Sequence, residues 1–178
     1  MKLVPTPLAG AYVVEPEPMT DERGWFMRTY DQGLFDEFGL ERVGVQANSS
    51  FTAARDTLRG LHYQVAPYAE AKLVRCVRGA IWDVGVDLRS GSDTYLGWHA
   101  VELSADNHRG YYLPAGVAHG FQTLSDDCEV QYLMGRVYVP DAARGVRWND
   151  PAFAIQWPAP TGQRTMSARD REYPDFVP

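Results

Sequence analysis

From Val43 to Tyr138 the chain has no stretch with the 3.6-residue apolar period of a helix. Short apolar runs recur instead at spacings of roughly 8–12 residues, punctuated by Gly, Asp, Asn, Ser and Pro. Leu73–Val77 and Ile81–Leu88 flank Arg78-Gly79, which reads as a hairpin turn. In the second run Trp82, Val84, Val86 and Leu88 alternate with Ile81, Asp83, Gly85 and Asp87. A period of two predicts a strand with one buried face. Leu96–Leu103, Tyr111–Leu113, Gly120–Leu124 and Glu129–Met134 read as further strands. So many short strands predict an all-β sandwich or barrel.

The flanks differ. Residues 4–18 interleave Val4, Leu8, Tyr12, Val13 and Val14 with Pro5, Pro7, Pro16 and Pro18, a pattern suited to a sheet edge. Asp21-Glu22-Arg23-Gly24 reads as a turn and Trp25 to Tyr30 as a short aromatic strand. Asp31 is placed to cap one helix, with Leu34, Phe35 and Phe38 on one side and Gly39 as its stop. Beyond Pro140, Trp148, Phe153 and Trp157 predict a segment packed on the outside of the sandwich. The 178 residues thus predict one domain: an arm and helix (1–42), a β core (43–139) and a C-terminal packing segment (140–178).

A net charge of -6 argues against a nucleic-acid groove. No apolar run reaches the length of a membrane span, and the N-terminus lacks a signal-peptide core. Cys76 and Cys128 stand outside any motif and are expected to be free thiols in a cytoplasmic protein.

Chemistry concentrates in Leu58-Arg59-Gly60-Leu61-His62-Tyr63-Gln64 and in Lys72 on the next apolar run. A base titrating near neutrality beside a cation suits proton abstraction next to a carbonyl. His62 and His119 sit in glycine-marked strands, whereas His99 and His108 are assigned to the surface. A metal-binding β-sandwich would need clustered ligands, and His62 is followed by Tyr63-Gln64 rather than a second histidine, so no metal is expected. Arg23, Arg59 and Arg144 each precede a glycine that lets a ligand approach the backbone. Tyr132 lies in an apolar strand, suited either to the core or to an acid facing the base. Simple alternation puts Arg59 and His62 on opposite faces, so they converge only if Gly60 marks a bulge.

In order along the chain, Asp21–Phe26, Gln46-Ala47-Asn48-Ser49-Ser50, Leu58–Gln64, Ala71-Lys72-Leu73-Val74, Asp83–Arg89, Pro114–Phe121 with Ala118-His119-Gly120-Phe121 at its end, Tyr138-Val139-Pro140, Ala143–Pro151 and Ser167–Asp170 resemble the dTDP-4-dehydrorhamnose 3,5-epimerases. The resemblance implies a dimeric, cupin-type jelly roll with one or a few short helices, without metal or redox cofactor. It implies a nucleotide-sugar substrate, dTDP-linked first, whose C5 and C3 are inverted through enolates. His62 would be the base, Asp170 its partner, Lys72 the cation for the enolate and Tyr132 the acid on the opposite face. Arg59 and His119 would line the pocket. Arg23 would hold the diphosphate, Phe26 and Tyr138 would stack on the base, and Gln46 and Asn48 would complete a nucleotide site shared with the partner subunit. Three departures stand out: Arg28 where glutamate is common, Leu133 after Tyr132 where lysine is frequent, and one extra residue between Ser50 and Leu58. Arg28 could favour a CDP-sugar if it reaches the base, and Leu133 could restrict epimerisation to one carbon. A metal-dependent cupin enzyme and a non-catalytic sugar-nucleotide binder are the alternatives from other classes.

Overall fold

The computed structural model describes residues 1–177; Pro178, the end of the predicted C-terminal segment, lies outside the described residues. The arm supplies β1 (Lys2–Pro5) and β2 (Tyr12–Glu15), then a hairpin of β3 (Met19–Asp21) and β4 (Gly24–Phe26), then helix α1 (Gln32–Glu37). Eight strands follow: β5 (Gln46–Thr52), β6 (Leu58–Gln64), β7 (Lys72–Arg78), β8 (Ala80–Asp87), β9 (Trp98–Ser104), β10 (Gly110–Leu113), β11 (Val117–Thr123) and β12 (Cys128–Met134). A short 3-10 turn, β13 (Ala143–Gly145) and helix α2 (Ala168–Arg171) end the chain.

Two antiparallel sheets face each other as the predicted jelly-roll sandwich. One has the order β1-β2-β10-β7-β12-β5, the other β13-β6-β11-β8-β9. Alternation decides what fills the space between them. Val74, Cys76, Cys128 and Val130 of the first sheet meet Ile81, Val101, Leu103, Val117 and Phe121 of the second. Outside the first sheet, α1 seats Phe35 against Leu73 and Tyr112. The Asp31 side chain accepts from the Leu34 N–H at the helix start, as its sequence signal predicts. Outside the second sheet, the C-terminal segment lays Val146 and Phe153 over Leu61, Val84, Val86 and Ala118, the packing that its aromatic residues predict. Each fully buried side chain of this size is worth about 1.5–3 kcal/mol, which is what holds an otherwise irregular segment in place.

Several expectations are corrected. Arg78-Gly79 is not a hairpin: β7 and β8 belong to different sheets, and Gly79 is the corner between them. Its φ is +74°, and a Cβ there would lie 2.8 Å from Cys128 Sγ, so only glycine fits. Strand β8 buries both faces, not one. Trp82, Val84 and Val86 lie under the C-terminal segment, and the alternate face, with Ile81, Asp83 and Gly85, is the one toward the other sheet. The arm is an edge only at β1, since β2 lies between β1 and β10. Its prolines fall outside β2, so they break no ladder bond there. The aromatic strand ends at Phe26 rather than Tyr30. His99 and His108 are half-buried rather than on the surface, against Tyr111 and Trp25 respectively. Cys76 and Cys128 are free, as expected, and buried.

Candidate active site

The parity that fills the core also builds the site. Lys72 precedes Val74 and Cys76 on one face of β7, Tyr132 follows Cys128 and Val130 on one face of β12, and His119 lies between Val117 and Phe121 on β11. At one end of the sandwich the inward-facing residues change from apolar to ionisable. There they line a cavity of about 730 Å³ together with Arg59, His62 and Asp170.

Strand β6 needs an irregularity to join them, and it has one. His62 pairs with His119 and Arg59 with Phe121, so three steps on β6 match two on β11. Gly60 takes up the extra residue with φ +114°, and a Cβ on it would stand 2.5 Å from the Gly120 Cα. The expected bulge is therefore present, and Arg59 and His62 both reach the cavity.

His62 Nε2 lies 2.7 Å from Asp170 Oδ1, which leaves Nδ1 free for a proton. Asp170 is brought 108 positions along the chain to its partner by α2. The Ser167 side chain caps α2 by accepting from the Asp170 N–H, and the Gly60 N–H donates to Asp170 Oδ2. Burial pushes the Asp170 carboxyl up, but the hydrogen bond and charge of His62, with the Gly60 and Ser167 contacts, outweigh it and hold it below the usual carboxylate range. His119 Nε2 forms a second pair with Asp83 Oδ1, also at 2.7 Å. Full burial raises the Asp83 carboxyl, opposed by His119.

On the facing sheet, the Tyr132 hydroxyl is 3.2 Å from Ser50 Oγ. Burial first, and the charge of Asp83 after it, push Tyr132 far above an ordinary phenol, so it keeps its proton at neutral pH. Lys72 Nζ lies 3.2 Å from Glu70 Oε1 and donates to the His62 carbonyl at 3.3 Å. The Arg59 guanidinium is braced by Thr52 Oγ1 and the Phe51 carbonyl of β5.

Of the predicted residues, His62, Lys72, Asp170, Tyr132, Arg59, His119, Asn48 and Tyr138 line the one cavity. Gln46 stands behind them, donating to Asn48 and accepting from the Tyr138 N–H. Arg23, Phe26 and Arg28 do not reach it within the chain. Arg23 and Phe26 project from the β3–β4 hairpin, with the Arg23 side chain 85% exposed, and Arg28 pairs with Asp31. Leu133 packs outward near Leu73 and Ala71, so it does not touch the face that carries Tyr132. Sequence reasoning missed Ser50, Glu70 and Arg169. Glu70 lies two residues before Lys72 in the connection that precedes β7, where strand parity gives no signal. Among the described residues, no group of three or more His, Cys, Asp and Glu side chains is placed to hold a metal ion, and no helix is long and apolar enough to cross a membrane.

A half-buried tyrosine and a buried lysine on one sheet face a carboxylate-paired histidine on the other across one cavity, the arrangement of a jelly-roll enzyme. The dTDP-4-dehydrorhamnose 3,5-epimerase family model matches residues 5–177, and the chain belongs to that family. An epimerase of that name from Methanothermobacter thermautotrophicus is 45% identical over 97% of this chain and 92% of its own. The crystal structure of the Elizabethkingia anophelis enzyme superposes with a TM-score of 0.95 at 41% identity, covering 99% of this chain and 96% of the other. That of the Bacillus anthracis enzyme, with TDP and PPi bound, gives 0.92 at 40% identity over 98% and 99%.

Proposed function

We propose that this enzyme inverts C5 and C3 of dTDP-4-dehydro-6-deoxy-glucose to give dTDP-4-dehydro-rhamnose. The observation that carries this reading is the placement of His62 and Tyr132 on opposite sheets across one cavity. A base and an acid on the same wall would return a proton to the face it left. On opposite walls they invert the carbon.

The chemistry follows from these side chains. His62 Nδ1 takes the proton from a carbon next to the C4 ketone, and Asp170 holds the resulting imidazolium. The C–H electron pair moves into the ketone, and Lys72 Nζ faces the enolate oxygen. Tyr132 then gives its phenolic proton to the other face of the carbon. Both groups recover their starting protonation from water. The ketone itself acidifies its neighbours, so the residues present suffice for the proton transfers. Arg59 and His119 position the sugar.

The nucleotide half rests on a homodimer. Trp25 and Phe26 are 55% and 67% exposed on a hairpin that also carries Arg23. An isolated two-stranded ribbon with exposed aromatics is a poor end-state in water. The hairpin of one subunit would reach the cavity of its partner, where Arg23 meets the diphosphate and Phe26 stacks on the base beside Tyr138, with Gln46 and Asn48 below. Bound TDP in the Bacillus anthracis relative supports a thymidine nucleotide here. The local pairing of Arg28 with Asp31 supports the same choice over a CDP-sugar. The buried free thiols fit a cytoplasmic setting. The test follows the C3 and C5 hydrogens of the substrate in D2O: exchange supports the reading, and retention of both hydrogens overturns it.

A further inference from the structure

Lys72 does not stand alone in the cavity wall. It shares that wall with Glu70, and the two side chains are buried, at 6% and 4% exposure. An ammonium has three N–H donors. Nζ is ion-paired with Glu70 Oε1 at 3.2 Å and donates to the His62 carbonyl, which leaves N–H capacity for a ligand in the cavity. Glu70 Oε2 is buried with no hydrogen-bond partner. A buried carboxylate with an unpaired oxygen is a poor stabilising device, because desolvation offsets most of what the ion pair returns. Stability therefore gives little reason for a glutamate here, and the site gives a better one.

We propose that Glu70 is a positioning residue of the reaction: it anchors the charged Lys72 ammonium so that its remaining N–H faces the enolate oxygen. This rests on the epimerase reading above. Lysine carries its charge on a flexible four-carbon stem, and a buried ammonium without a counter-charge gives up its proton readily. Glu70 meets both needs. Its charge also repels the enolate, but from further off. With the enolate oxygen about 3 Å from Nζ and about 6 Å from the carboxylate beyond it, attraction exceeds repulsion roughly two to one at any one dielectric. The other charged or titratable groups around Lys72 are Asp83, His119 and Tyr132, which share the sandwich interior, and His62, which meets it through its carbonyl.

The test compares Glu70→Gln, which keeps shape and loses charge, with Glu70→Asp, which keeps charge and shortens reach. Solvent-deuterium exchange into the 4-keto sugar is measured against pH. In Glu70→Gln the basic limb of kcat should move down by about one pH unit or more, with KM changed less than about threefold. In a Lys72→Met background the same substitution should add less than about twofold, since its effect runs through Lys72. Glu70→Asp should lower kcat about tenfold with the limb unmoved, and it carries the test if the Gln variant loses its cooperative melt. A wild-type limb and kcat in both variants, or an equal effect without Lys72, overturns the proposal. Wild-type protein that exchanges no hydrogen defeats the epimerase reading instead.

Discussion

At the scale of residues, the site works by holding like groups in unlike states. Two histidines lie on one sheet, each 2.7 Å from a carboxylate, yet the His62 side chain is 46% exposed at the cavity and that of His119 is 7% exposed. In the proposed reaction the open one meets the carbon acid and the enclosed one orients the sugar. Two ionisable groups must also differ in charge: Asp170 is held ionised by His62, while burial keeps Tyr132 protonated. His62→Asn keeps a polar side chain of similar reach but removes the base. Turnover should fall by at least the ~10²–10⁴ that general base catalysis supplies, while dTDP binding, read by calorimetry, persists. Near-normal turnover would remove His62 from the role of base.

At the scale of elements, the bulge in β6 is the feature on which the site depends. Without the bulge at Gly60, regular alternation would point His62 and Arg59 to opposite sides of the sheet. Gly60→Ala forces a Cβ against the Gly120 backbone at a φ of +114°. It should cost about 1–3 kcal/mol of stability from the backbone conformation alone, read as a lowered urea midpoint. Turnover should fall further than that loss explains, because both cavity residues move. An unchanged midpoint and rate would show that the bulge is dispensable. The same element shows what a sequence can convey. Alternation and turn residues disclose the strands, and the parity conflict at Arg59 and His62 discloses the bulge. Neither says which sheet a strand joins. Arg78-Gly79 looks like a hairpin because a sheet corner needs the same positive-φ glycine. Strand β8 looks one-sided because Asp83 is polar, and its burial beside His119 depends on a partner 36 positions away. The reach of Glu70 to Lys72 is invisible for a related reason: it lies in a connection, where strand parity is not expected to hold.

At the scale of the whole molecule, one chain brings His62, Lys72, Tyr132 and Asp170 to one cavity and displays Arg23 and Phe26 away from it. If partner subunits exchange these hairpins, two defective proteins should repair each other. Arg23→Ala and His62→Asn, each impaired alone, should regain activity when refolded together, because one site of every mixed dimer is then wild type. Random pairing makes that roughly a quarter of all sites. No recovery from a mixture that forms mixed dimers would place Arg23 outside the partner's site. The central claim is that one base and one acid, on opposite walls, move protons at carbons beside the ketone. The most direct measurement incubates wild-type protein with dTDP-4-dehydro-6-deoxy-glucose in D2O and reads C3 and C5 by NMR. The account predicts deuterium at both carbons, in sugar whose configuration is inverted at each. Sugar that keeps its original hydrogen and configuration at both positions would contradict it.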